Sequence, residues 1–134
     1  MERVTLDVAK GMVAAAEERA AEIEVPMCIA VLDGGANPVA FHRMDDALLA
    51  SVDIARNKAY TALAMKMPTE ELAGMAQPGE ELYGIEATNG GRIVVFGGGL
   101  PIDGDEGEPI GAIGVSGGSV AEDVTVAEAG LDAL

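Results

Sequence analysis

The sequence predicts an α+β fold in which helices flank a mainly antiparallel sheet, and three observations predict it. Two short apolar runs, 27–32 and 39–44, are joined by turn-forming residues, which is typical of a β-hairpin. Segments with helical spacing are grouped before and after the strands rather than alternating with each one. Finally, 134 residues with 49% hydrophobic side chains suffice for one core, so we expect residues 1–134 to form a single domain.

The chain begins with a predicted helix that leads into the hairpin. Apolar residues recur at helical spacing between positions 5 and 21, and Thr5 is a suitable N-cap. The segment 33–38, DGGANP, supplies the turn between the two strands. We therefore expect one helix followed directly by two paired strands.

A second helix is predicted over 45–67, where apolar side chains again recur every three or four residues and Pro68 ends the pattern. Thr69 is expected to cap a short helix. The next stretch is loop-rich, with a short strand expected near 83–87 and a clearer one at 92–96. These two segments would bring the sheet to five strands.

The last third of the chain predicts a strand and a helix. Gly97–Pro101 is a glycine-rich bend, and the strand that follows it, 109–116, contains Gly111 and Gly114. Glycines inside a strand indicate that another group approaches the backbone closely. The motif SVAE from position 119 is a capping box, which predicts a C-terminal helix.

The charge of the chain excludes several classes of partner. Eight basic and 23 acidic side chains give a formal net charge of −15. Phosphate recognition needs clustered Lys and Arg, so we expect no nucleic-acid partner, and docking on anionic membranes is equally disfavoured. Scarce lysine in a strongly acidic chain is typical of proteins from salt-rich cells, where counter-ions screen the surface. The sequence therefore predicts a halophilic source.

The remaining composition indicates a cytoplasmic protein. No apolar run approaches the ~18 residues of a membrane-spanning helix, and the start of the chain lacks a secretory pattern. A single cysteine, Cys28, excludes an internal disulfide and a CxxC redox pair. Burial in the first strand would oppose activation of this thiol. We expect no cysteine chemistry.

Two glycine-rich segments are candidate ligand sites. The first, Gly97, Gly98 and Gly99, is either a loop with positive φ or a backbone cradle for a carboxylate, a phosphate or a tetrapyrrole propionate. The second comprises Ser116, Gly117 and Gly118, where a strand passes into the C-terminal helix. Free N–H groups at a helix start attract anions, although a tight junction explains the glycines equally well.

The only histidine, His42, is a candidate metal ligand. Alternation along the second strand places His42 and Met44 on one face, from which both could reach a haem iron. The alternative is a hydrogen-bonded surface histidine. Arg43 and Asp45 lie where this strand leads into the next helix, and we expect an ion pair or a helix cap there.

The central helix carries a polar stripe and one unusual lysine. Asp53, Arg56 and Asn57 are neighbours on one face, which predicts a solvated salt-bridge stripe. Lys58 is surrounded by alanines and is expected to be partly buried, where it either pairs with an acid or holds a ligand carboxylate. No nucleophile–base pair and no metal-ligand cluster is evident from the spacing of the other residues.

Four segments resemble one protein family. They are IAVLDGGANPVAFHRMDDA, SVDIARNKAYTALAMKMPTEEL, VVFGGGLPI and PIGAIGVSGGSVAEDVTVAEAG, in this order along the chain. Together they resemble the GlcG/HbpS family of haem-degrading or haem-binding domains, which also occur at the C-terminus of PduO-type cobalamin adenosyltransferases. The resemblance implies a profilin-like three-layer sandwich with a five-stranded sheet, assembly into dimers and up to octamers, and in some members haem or other tetrapyrrole binding.

The resemblance also implies where a ligand would lie. The pocket segments would be Arg43–Asp45, Lys58, 97–101 and 116–123, the last of which includes Asp123. Some haem-binding relatives use a histidine in the N-terminal helix, and this chain has only His42. Adenosyltransferase activity is not implied, because that module is absent from these residues.

Three functions are compatible with this sequence. The first is an oligomeric binding protein for haem or a related tetrapyrrole. The second is an enzyme on a small hydroxy- or oxo-acid, with Lys58 and Arg43 holding the carboxylate and Asp123 moving a proton. The third is a non-catalytic accessory subunit.

Overall fold

The computed structural model describes every residue from Met1 to Leu134, and one sheet with four main helices accounts for most of the chain. In chain order the elements are α1 (Leu6–Glu22), β1 (Cys28–Asp33), β2 (Pro38–Arg43), α2 (Leu49–Met65), α3 (Thr69–Met75), β3 (Gly99–Asp103), β4 (Pro109–Ser116) and α4 (Val120–Leu131). Two short 3₁₀ turns, Ile85–Ala87 and Asn89–Gly91, lie between α3 and β3.

The sheet has four strands in the order β2-β1-β4-β3, and every neighbouring pair is antiparallel. The predicted hairpin is therefore confirmed, and so is the α+β class. The expectation of five strands is wrong. β1 lies in the interior of the sheet between β2 and β4, which explains why it is almost completely buried.

The segment 92–96 is not a strand, because α2 takes up its backbone groups. Thr61 on α2 accepts a hydrogen bond from the Val94 N–H (2.9 Å) and lies 3.1 Å from the Arg92 carbonyl oxygen. The segment 83–87 is not a strand either. Its backbone hydrogen bonds close local turns, such as the bond from the Ile85 N–H to the Leu82 carbonyl (3.0 Å).

Helices cover both faces of the sheet, which gives three layers. On one face α1 and α4 enclose the larger core with side chains from β1 and β4, among them Met12, Ile29, Ile113 and Val126. On the other face α2 packs on a floor of small residues. None of the helices is both long enough and apolar enough to cross a membrane.

Backbone groups of α2 and β1, and not a ligand, make the close approach that was predicted at the two glycines of β4. A Cβ on Gly114 would lie 2.0 Å from the Ala55 carbonyl oxygen and 2.6 Å from the Ala59 nitrogen, so the backbone of α2 rests directly on this strand. A Cβ on Gly111 would lie 2.4 Å from the Leu32 carbonyl oxygen of β1. These two glycines therefore serve packing rather than ligand contact.

The predicted starts of α1 and α4 are confirmed, whereas those of α2 and α3 are not. Thr5 caps α1, and Ser119 with Glu122 forms the predicted capping box of α4. Thr69, in contrast, does not cap α3, because its hydroxyl accepts a hydrogen bond from the Gly99 N–H (2.9 Å).

The central helix α2 begins at Leu49 rather than at residue 45. Asp46 adopts φ +69°, which breaks any helical run through this position. The Arg43 guanidinium donates to the Ala47 carbonyl (3.0 Å) and holds the resulting turn against the end of β2.

Candidate functional site

The predicted site residues form two separate neighbourhoods rather than one pocket. His42, Arg43 and Asp45 line an open groove between α1 and the edge strand β2, which we call the β2 groove. The remaining residues meet around the buried Lys58, in what we call the lysine cluster. Its members are Lys58, Phe96, Gly97, Gly98, Gly99, Ser116, Gly117, Gly118 and Asp123.

Lys58 is completely buried and pairs with an acid, which is one of the two roles predicted for it. Its Nζ donates to Asp123 Oδ2 (2.8 Å) and to the Val115 carbonyl (2.8 Å), and it lies 5.1 Å from the centre of the Phe96 ring. Asp123 Oδ1 in turn accepts from the Gly118 N–H (2.9 Å). The protein thus supplies partners for both charged groups.

Burial changes the pKa of both members of this pair. Desolvation lowers the pKa of Lys58 and raises the pKa of Asp123, because a low-dielectric interior disfavours each charged form. The hydrogen bond and the charge attraction between the two groups oppose both shifts. Each group therefore depends on the other to remain ionised.

The first glycine segment wraps this lysine. Gly98 adopts φ +126°, and a Cβ there would lie 2.7 Å from Lys58 Nζ. A Cβ on Gly99 would lie 2.3 Å from the Lys58 carbonyl oxygen, and one on Gly97 would lie 2.8 Å from a methyl of Val124. Gly98 and Gly99 also line a cavity of about 150 Å³, but the carboxylates of Glu70, Glu71 and Glu128 line it too and oppose the predicted role as an anion cradle.

The second glycine segment is a tight junction whose amides are already occupied. A Cβ on Gly117 would lie 2.5 Å from the Pro26 carbonyl oxygen. The N–H groups of Gly118 and Ser119 donate to the carboxylates of Asp123 and Glu122. The start of α4 therefore presents acidic side chains where an anionic ligand would have to bind.

Two small polar groups complete the α2 face of the sheet near this junction. The Ser116 and Ser51 hydroxyl oxygens lie 3.1 Å apart in a buried hydrogen bond between β4 and α2. Cys28, which pairs with Ser116 across the sheet, is buried as well. Burial raises the pKa of its thiol, and the charge of Arg43 opposes this only in part. The thiol is therefore not an activated nucleophile.

The β2 groove has a volume of about 560 Å³, within the roughly 300–1,000 Å³ typical of small-molecule sites. It is lined by Ala14, Glu17, Glu18, Ala21, His42, Arg43, Met44 and Asp45. His42 and Met44 both line this groove, and so do Arg43 and Asp45. The Met44 sulfur, however, accepts a hydrogen bond from the Met27 N–H (3.4 Å). His42 is therefore the side chain in this groove that is available to ligate a metal.

His42 is oriented by a residue that the sequence did not indicate. Its Nδ1 lies 2.7 Å from Glu17 Oε1 on α1, and just over half of its side chain is exposed, at 55%. With Nδ1–H donating to the carboxylate, Nε2 carries the free lone pair. Glu17 is one acid among many on α1, and only the packing of α1 against β2 distinguishes it.

The ion pairs expected between neighbouring residues do not form. Arg43 donates to the Ala47 carbonyl, while Asp45 is neither ion-paired nor the cap of α2. On α2 the Asp53 carboxylate accepts from the Asn57 amide (2.9 Å), so Arg56 has no acidic partner. The predicted stripe is a single hydrogen bond.

The chain belongs to the HbpS-like family: the family described as "Haem degrading protein HbpS-like" matches residues 4–132. A 15.0 kDa protein from the dhaT–dhaS intergenic region of Citrobacter freundii is 50% identical over 129 residues, which cover 96% of this chain and 90% of that protein. The corrinoid adenosyltransferase PduO of Salmonella typhimurium is 43% identical over 120 residues, which cover 90% of this chain and 35% of PduO. The chain thus spans about a third of that enzyme.

Solved structures of relatives share the whole fold. Klebsiella pneumoniae ORFY superimposes with a TM-score of 0.95 at 44% identity, covering 99% of this chain and 91% of ORFY. A PduOC:haem complex gives 0.92 at 41% identity, with 96% and 92% covered. A double mutant of Streptomyces reticuli HbpS gives 0.88 at 30% identity, with 97% and 86% covered.

Proposed function

We propose that this protein binds haem, or a related tetrapyrrole, in the β2 groove, with His42 Nε2 as the iron ligand. The observation that carries the proposal is the Glu17–His42 hydrogen bond beside an open groove of about 560 Å³. A metal-binding histidine usually donates its other ring N–H to a carboxylate or carbonyl, which is the arrangement of this pair. A relative that is 41% identical has been crystallised as a haem complex.

The lining of the groove fits such a ligand. Ala14, Ala21 and the Met44 chain offer apolar surface for a macrocycle, while Arg43 is the one cation there and would pair with a propionate. Glu18 and Asp45 oppose propionates, so we expect salt to favour binding. Bound haem would supply a redox-active iron, and the part of this chain is to hold and orient it.

The test is a haemin titration followed by visible absorption in molar KCl, on the wild type and on His42→Ala. We expect a saturable Soret shift at one haem per one or two chains that is lost in the variant. A shift that survives the substitution would remove the iron from His42. A wild type without a saturable shift would contradict haem binding altogether.

The enzyme alternative has less support from the geometry. It requires Lys58 and Arg43 to grip one carboxylate, yet Lys58 is fully buried with its bonds made and Arg43 lies in the β2 groove. Asp123, the proposed proton carrier, is committed to Lys58 and Gly118. The accessory-subunit alternative remains, and it predicts no ligand at either site.

We further propose self-association, with residues 1–134 as one domain of a cytoplasmic homo-oligomer between a dimer and an octamer. Two features support association. β2 and β3 are open edges of the sheet, and Leu48 and Leu49 are 62% and 79% exposed side by side at the start of α2. A salt-rich habitat also stays a proposal, supported by the net charge of −15.

A further inference from the structure

A small cavity of about 80 Å³ lies between α2, the 3₁₀ turns and the β1–β2 hairpin, away from both neighbourhoods described above. We call it the tyrosine–arginine pocket. It is lined by Leu32, Ala36, Pro38, Arg56, Asn57, Tyr60 and Arg92. It shares no lining residue with the β2 groove.

The charge of this pocket is the reverse of the rest of the surface. It contains two guanidinium groups and no carboxylate. The four larger cavities of the chain are each lined by at least two Asp or Glu side chains. The protein has 23 acidic and eight basic side chains, so two arginines that line one cavity without any Asp or Glu are a local concentration of positive charge.

Arg92 is held in place by stacking and by a hydrogen bond, and it forms no ion pair with an acidic side chain. Its guanidinium stacks 3.9 Å from the centre of the Tyr60 ring, and its Nε donates to the Asn89 carbonyl (2.9 Å). The Tyr60 hydroxyl donates to the Asn89 side-chain oxygen (2.7 Å), which fixes the ring beneath the guanidinium. The two terminal nitrogens of Arg92 make no hydrogen bond within the protein.

Arg56 is likewise left without an acid. The nearest one along the helix, Asp53, accepts from the Asn57 amide instead (2.9 Å), and Arg56 takes part in none of the five ion pairs. Two planar forks of N–H donors, one of them pre-oriented by stacking, therefore line the same cavity. This is the arrangement with which arginine binds planar carboxylates and phosphates.

We propose that the tyrosine–arginine pocket binds a small oxyanion, a carboxylate or a phosphoryl group. The volume suits this size, because one water occupies about 30 Å³ and a single oxyanion group needs the room of two or three waters. A tetrapyrrole does not fit. Leu32, Ala36 and Pro38 supply the apolar part of the lining.

The test is an amide ¹H–¹⁵N chemical-shift titration of the haem-free protein with sodium phosphate and, separately, with sodium acetate, at an ionic strength held constant with KCl. We expect saturable shifts at residues 56–60 and 88–92. Arg56→Gln and Arg92→Gln should each weaken binding roughly ten-fold, because each removes charge-assisted hydrogen bonds. Arg19→Gln is the matched control, since Arg19 is paired with Glu22 on α1, and it should bind like the wild type.

The outcomes are distinct. Saturation by phosphate alone or by acetate alone supports the site and identifies the anion. Shifts that grow without saturating, that are equal in the two pocket variants and the wild type, or that map to the β2 groove would overturn the proposal. Loss of haem binding in His42→Ala has no bearing on this result, because the two sites share no residue.

Discussion

Lys58 combines complete burial with a full set of partners, so its loss and the loss of its partner have different consequences. An unpaired charge in the interior costs several kcal/mol, whereas the pair itself contributes little net stability. The backbone around Lys58 leaves the side chain little room to move, because even a Cβ added to Gly98 would lie only 2.7 Å from Nζ. Stability at this point depends on the Asp123 carboxylate.

Asp123→Asn should destabilise the protein by about 3–5 kcal/mol at neutral pH, because it leaves Lys58 charged and unpaired. The substitution removes the groups that hold the pKa of Lys58 up, so this pKa falls further below its ordinary value of 10.5. The unfolded state then binds more protons than the native state between the two pKa values. The free energy of unfolding therefore rises with pH up to about the ordinary lysine pKa of 10.5. Urea unfolding between pH 7 and pH 10 measures this recovery.

The control for this substitution is Glu128→Gln, at an exposed acid on the same helix. It should change the free energy of unfolding by no more than about 0.5 kcal/mol at any of these pH values. An Asp123→Asn variant with wild-type stability, or with a loss that deepens towards pH 10, would show that Lys58 does not depend on this carboxylate.

Glu17 and Glu18 provide a matched pair for the haem proposal. Both line the β2 groove, but only Glu17 contacts His42, at 2.7 Å. Glu17→Ala should weaken haem binding roughly 10- to 100-fold and shift the Soret maximum, because a ligand histidine loses its orienting partner. Glu18→Ala should bind haem at least as well as the wild type. Equal affinities for the two variants would contradict the role of Glu17.

At the scale of elements, the close contact between α2 and β4 requires a glycine at position 114. Gly114→Ala places a Cβ within 2.0 Å of the Ala55 carbonyl, so the helix has to lift from the sheet. We expect a loss of about 3 kcal/mol, at the upper end for overpacked cores. Gly11→Ala on α1 meets nothing within 4 Å and should gain about 0.5–1 kcal/mol. Thermal and urea unfolding of both variants measure the difference.

The elements that the sequence predicted correctly are those fixed by neighbours in the chain. The Thr5 cap and the α4 capping box close within three residues, and the strand 109–116 has exactly its predicted bounds. The segment 92–96 has the composition of a strand, but its Val94 N–H and its Arg92 carbonyl contact the hydroxyl of Thr61, about thirty residues earlier. Composition records a preference and not the partner that overrides it.

The candidate sites follow the same rule. Lys58 was indicated by its alanine neighbours, while the identity of its partner depends on a contact across 65 residues. The hydrogen bond from His42 to Glu17 spans 25 residues, and the contact of Arg92 with Tyr60 spans about thirty residues that include the whole of α3. Local spacing carries no information on such contacts, and so neither the β2 groove nor the tyrosine–arginine pocket was predicted as a unit.

At the scale of the whole molecule, charge repulsion is the main feature of the surface. Four ion pairs and the His42–Glu17 contact involve five of the 23 acidic side chains, and the others have no cationic partner within the chain. Raising KCl from dilute buffer to 1 M shortens the screening length to about 3 Å. We therefore expect the melting temperature to rise with KCl. A triple Gln variant of Glu80, Glu81 and Glu86, all exposed, should depend less on salt. A melting temperature that is flat with KCl would contradict the halophile proposal.

Assembly is the second property at this scale. Leu49→Lys should reduce the molar mass measured by light scattering after size exclusion, because it puts a charge into the exposed leucine pair of α2. Leu6→Lys is the control, since Leu6 is 57% exposed but stands alone at the start of α1. A wild type that elutes as a monomer would contradict self-association, and unchanged mass in Leu49→Lys would move the interface elsewhere.

The strand order also determines how the chain behaves during synthesis on the ribosome. β1 is complete at Asp33, but its inner neighbour β4 begins only at Pro109, and α4, which covers α1, ends at Leu131. Translation at about 5–20 residues per second separates the two strands by roughly 4–15 s. Throughout that interval β1 lacks its β4 neighbour and α1 lacks the cover of α4, although both can already contact one another. We therefore expect the nascent chain to expose apolar surface until β4 and α4 have left the exit tunnel.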